Sequence, residues 1–100
     1  MAITANVDLG NGVTASSCYI IVPTAYVKNF DDDGFKLIYD VHIYQNKSAR
    51  DSETSESKRI ACKEVDHHKI DYDPTTSDNP FKLAYTHLKT NSKLSSVSDA

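Results

Sequence analysis

The sequence predicts an α+β domain: a mostly antiparallel β-sheet of about four strands, sandwich-like or a meander, followed by one C-terminal α-helix. Three observations carry this reading. Ile3, Ala5, Val7 and Leu9 alternate with Thr4, Asn6 and Asp8, the period of a half-buried strand. Phe35, Leu37, Tyr39, Val41 and Ile43 occupy every second position of a longer run. Phe81, Ala84, Tyr85 and Leu88 instead recur at three and four residues, which makes one apolar stripe on a helix.

In chain order, Gly10-Asn11-Gly12 supplies residues that tolerate positive φ, and Asn-Gly between alternating segments signals a tight hairpin. The chain then returns through Val13 to Cys18-Tyr19-Ile20-Ile21-Val22, a β-branched run of the kind buried on both faces. Pro23 has no amide proton for a ladder, so it marks a bulge or an edge. Tyr26, Val27 and Phe30 continue in strand-like composition up to a turn at Asp31-Asp32-Asp33-Gly34. The strand from Phe35 buries one face. Its other face mixes Lys36, Asp40 and His42 with Ile38 and Tyr44, a composition suited to a partner or a second layer.

Residues 45–59 are rich in charge and serine and have almost nothing to bury, so a long exposed connection is expected, mobile in the isolated subunit. Ile60, Cys62, Val65, Ile70 and Tyr72 resume a strand whose change of phase predicts a bulge near Asp66. After a turn-rich stretch at 74–79, Asn79 is placed to cap a helix with Pro80 at its first position. Asn91 is a reasonable stop. The expected organisation is one domain over residues 1–91 and a flexible tail over 92–100, unless Leu94 and Val97 dock on something.

Composition narrows the function classes. At 100 residues the chain makes one domain, which buries roughly 60–65% of its unfolded surface. A net charge of −3 gives no general attraction to nucleic acid or acidic membranes. No apolar run approaches the roughly 20 residues that cross a bilayer. Met1-Ala2-Ile3-Thr4 lacks a basic region and an apolar stretch, so synthesis and retention in a cytoplasm are expected. Cys18 and Cys62 are too few for a disulfide scaffold and read as small buried hydrophobes; a bridge would need neighbouring strands.

Candidate chemistry is sparse. Asn29, Asp31, Asp33, Gly34 and Asp40 match the spacing of a calcium-binding loop, with Asn at the opening position and Asp in place of the closing Glu. The flanks are strand-like where helices are required, so an acidic hairpin tip is the simpler reading. Asp71, Asp73 and Asp78 surround Pro74 and the helix start, where carboxylates favour turns and helix N-termini. His67 and His68 point to opposite faces if they lie on a strand, so they cannot readily share a metal. His42 and His87 are isolated in sequence. Nucleophile-elbow, HExxH, Walker A and GxGxxG patterns are lacking, and neither catalysis nor a cofactor is expected. Lys58, Arg59 and Lys63 form a basic cluster diluted by Glu64 and Asp66. Tyrosine favours interfaces, and Tyr44 on the mixed face is the best candidate there.

Asn11-Gly12-Val13 is followed by Tyr19-Ile20-Ile21-Val22, then by Ile43-Tyr44-Gln45-Asn46-Lys47-Ser48-Ala49-Arg50. The ending Tyr72-Asp73, Asn79-Pro80 and Ala84-Tyr85-Thr86-His87-Leu88-Lys89 completes the pattern over nearly the full length. This order of short motifs resembles small structural proteins encoded among the tail and baseplate genes of tailed bacteriophages. The resemblance implies a non-enzymatic virion component of the tail, baseplate or neck, made in the bacterial host cytoplasm and requiring no cofactor. It implies partners among other virion proteins and copies of itself, as a homo-oligomer in a ring or other symmetric assembly. Interface candidates are Tyr44, Arg50, Lys58, Arg59, Leu94 and Val97. Two alternatives remain at this level: a calcium-dependent ligand-binding module using the acidic turn, and a small phage-encoded regulator of a host protein.

Overall fold

The structure, a computed structural model, describes residues 2–52, 54 and 58–100. One sheet has strands β1 (Ile3–Gly10), β2 (Val13–Asn29), β3 (Phe35–Tyr44), β4 (Arg59–Ile60), β5 (His67–Asp71) and β6 (Leu94–Asp99). The pairing order is β4-β3-β2-β1-β6, and β5 joins the same edge of β3 beside β4. Every pairing is antiparallel. Helical segments are α1 (Lys47–Asp51), α2 (Lys63–Asp66) and α3 (Pro80–Leu88).

The β1–β2 turn forms as its residues dictate. Gly10 pairs with Val13, and the two loop residues Asn11 and Gly12 both have positive φ, as a type I′ hairpin requires. Strand β2 is bent at Pro23. Ile21 pairs with His42 and Thr24 with Asp40, so Val22 and Pro23 together oppose the single residue Val41, which is a β-bulge. The extra residue resets the alternation and returns Ala25 and Val27 to the core side, where they pack on the buried cluster.

That cluster lies between one sheet face and α3. Ile3, Ala5 and Val7 from β1 meet Cys18, Ile20 and Val22 from β2 and the alternate residues Leu37 to Ile43 of β3. Ala84, Tyr85 and Leu88 close it from the helix. Asn79 caps α3 by accepting from the Lys82 amide at 2.8 Å, with Pro80 at the first position, as the sequence predicts. Phe35 and Phe81, expected at the ends of the buried stripes, are instead exposed.

Several expectations are corrected. About four strands and one helix become, among the described residues, six strands with short additional helices, in one sheet covered on one face by α3 rather than in a sandwich. The anticipated bulge near Asp66 is a full interruption: α2 separates β4 from β5, because the Cys62 carbonyl takes the amides of both Val65 and Asp66. Part of the expected loop at 45–59 is ordered as α1, capped by Asn46 through the Ala49 amide at 2.9 Å. Glu53 and Glu56 of that loop lie outside the described residues. The predicted flexible tail over 92–100 is instead β6, which pairs with β1 and buries Leu94. Its serines carry no hydrophobic period, which is why composition reads as loose.

Candidate functional site

The core-facing partners Tyr39 on β3 and His68 on β5 pair across the ladder, and α3 lays His87 over both. The ring centroids are 5.1 Å apart for Tyr39–His68, 5.6 Å for His68–His87 and 5.8 Å for Tyr39–His87. The Tyr39 hydroxyl lies 2.5 Å from His87 Nδ1. Burial raises the Tyr39 phenol well above its ordinary range, so it stays protonated, and the direction of this hydrogen bond follows the His87 tautomer. His68 Nε2 is buried without a hydrogen-bond partner among the described residues. Burial, then the neighbouring His87, pushes the His68 imidazole below its usual range and favours the neutral ring. Beside this cluster a cleft of about 440 Å³ opens between α3 and β5, floored by Leu37, Ile70 and Leu83 and rimmed by Thr86 and Thr90.

A second polar group sits where β4 and β5 diverge along β3. This cleft of about 480 Å³ is lined by Asp40, His42, Arg59, Asp66 and His67 among others. His67 Nδ1 meets Asp40 Oδ1 at 2.5 Å, and Arg59 Nη1 meets His42 Nε2 at 2.5 Å. Asp66 turns back to accept from the Cys62 amide, at 3.2 Å through Oδ2, and its burial raises its carboxyl pKa. His67 and His68 do point to opposite faces, as the strand reading predicts. The joining of His68 with His87 is not legible in sequence, because it needs α3 to return across the sheet.

The calcium-loop residues are divided. Asn29 accepts from the Asp31 amide at 2.9 Å and shapes the tip with Asp33 and Gly34, whereas Asp40 lies six residues up β3, about 20 Å along the strand, against His67. Among the described residues no group of three or more His, Cys, Asp or Glu side chains is arranged to hold a metal. Asp71 is bonded to Lys36, which lowers its carboxyl pKa, and Asp73 is lowered by the Thr75 hydroxyl and amide. Cys18 and Cys62 are buried free thiols, both raised chiefly by burial, and a protonated thiol is a poor nucleophile.

The interface candidates fall into two groups. Tyr44 is 4% exposed, Leu94 is part of the core and Val97 packs against it, so these three serve the chain's own packing. Arg50 and Lys58 remain on the surface, held by Asp51 and Ser52, and Arg59 joins His42. The sheet face opposite α3 is exposed in part. Cross-strand register places Tyr19 and Ile21 of β2, then Thr24 and Tyr26, beside His42, Asp40 and Ile38 of β3. Tyr26 is 47% exposed, and Tyr19 and Ile21 are half-buried. Sequence reasoning singled out Tyr44 on this face and missed Tyr26, because the bulge at Pro23 decides which side Tyr26 takes. No helix among the described residues is long and apolar enough to cross a membrane.

Compared with family models, curated proteins and solved structures, the chain finds no match.

Proposed function

We propose that this chain is a structural component of a tailed bacteriophage virion, in the tail, baseplate or neck, acting through protein–protein contacts rather than catalysis. The observation that carries the reading is the sheet face opposite α3, where Tyr19, Ile21 and Tyr26 keep exposure beside buried Ile38 and Tyr44 and are set among paired polar groups. Tyrosine-rich, partly apolar surface ringed by polar groups is the composition of a protein interface. The Lys36–Asp71 and Asp40–His67 pairs form part of such a ring. The motif order from Asn11-Gly12-Val13 to the Ala84–Lys89 ending supports the same reading. The edge strands β6 and β5 offer further backbone for pairing with a neighbouring chain.

The test is the protein inventory of purified particles, with antibody labelling under negative stain. The chain is expected in the virion at a fixed position along the tail. Its absence from intact particles overturns the proposal. Tyr26→Glu supplies a second arm: it should leave folding stability within about 0.5 kcal/mol, as exposed positions do, yet reduce incorporation into particles.

A further inference from the structure

The contact between α3 and the sheet joins two imidazoles and a phenol, and each responds differently to a proton. His87 Nδ1 shares a hydrogen bond with the Tyr39 hydroxyl, and accepts in it when that nitrogen is unprotonated. His68 Nε2 faces a buried environment with no acceptor for a proton. The two imidazole rings are 5.6 Å apart, at 68° to each other.

We propose that His68 and His87, with Tyr39, form an acid-operated latch: neutral rings hold α3 on the sheet, and protonation loosens the helix from it. A proton on His87 Nδ1 turns that nitrogen from acceptor to donor, so the Tyr39 hydroxyl must rotate to accept from it. A proton on His68 Nε2 buries a charge without a partner. Protonating both sets like charges side by side in a half-buried space.

The surrounding groups do not cancel this effect. From β3, Tyr39 stays a neutral phenol. From α2, the Val65 carbonyl and the Asp66 carboxyl favour a proton on His68, but burial and His87 outweigh them; His67 on β5 adds to the penalty. Asp71 and Asp73 line the adjoining cleft with His87, and both hold depressed pKa values. They therefore remain ionised across the range in which histidines titrate and add no titration of their own there.

The sign follows from linkage. The unfolded chain binds a proton at His68 more readily than the folded one, so stability from this site is fully present above the ordinary histidine range. It is lost as pH falls through that range, and the loss levels off once the folded chain is protonated too. Urea unfolding of the full chain between about pH 8 and pH 5 tests the latch. The unfolding constant should rise at least roughly threefold on acidification. His68→Phe keeps a ring without a titrating nitrogen and should flatten this rise, whereas His67→Gln on the opposite face should retain it. A rise of the same size in H68F overturns the proposal. Proton NMR on the unmodified chain gives an answer independent of any variant's folding. The amide signals of residues 81–88 should shift together with the His68 ring, and their staying fixed while His68 titrates also overturns it.

Discussion

The hydroxyl of Tyr85 accepts the Val22 amide at 2.9 Å in a buried position, at the bulge where β2 turns that amide out of its ladder. In sequence Tyr85 is one member of an apolar stripe, and its hydroxyl has no visible purpose. The partner lies on a strand far away in the chain, beside a proline that signals only an irregularity. Tyr85→Phe keeps the ring and strands the amide, so it should cost about 1–3 kcal/mol, read as a lower urea midpoint with an unchanged slope. An unchanged midpoint would show that water reaches Val22. Tyr39 and the histidines were similarly opaque: alternation places Tyr39 on the inner face, but only the helix crossing brings its hydroxyl to His87.

At the level of elements, legibility followed hydrophobic period. Strands β1 and β3 were visible because their apolar residues alternate, and α3 because its stripe is preceded by Asn79-Pro80. Strand β6 was invisible: Leu-Ser-Ser-Val-Ser-Asp has two apolar residues three apart, and its pairing with β1 contains an irregularity where Ser96 takes φ 51°. That irregularity lies opposite one in the β1–β2 ladder, where Ser17 takes the same φ and gives its amide to Asn6 at 2.9 Å. The extra residue thus opposes Asn6 on the β2 side and its neighbour Ala5 on the β6 side. If β6 is a true strand, Leu94→Ala removes a core side chain and should cost about 2–3 kcal/mol by thermal or urea unfolding. A loose tail would give no measurable change.

Across the whole molecule, a single sheet holds a core on one side and an open surface on the other, with extents of 39 × 30 × 22 Å. The sequence expectation that residues 92–100 add nothing to the core made that core appear thinner than it is. Their pairing with β1 supplies Leu94 and Val97 to it. The same pairing has a kinetic consequence. Ile3 lies opposite Asp99, and the Ala100 amide reaches the Ala2 carbonyl at 3.0 Å, so β1 gains its second neighbour only by closing a loop almost as long as the described chain. Loop closure of that length must precede the contacts that reward it, and sheets built this way fold in about milliseconds to seconds rather than microseconds. Stopped-flow refolding should place this chain in that slower range. Until the loop closes, the outer edge of β1 is exposed to any other strand, so crowding during refolding should favour association over completion.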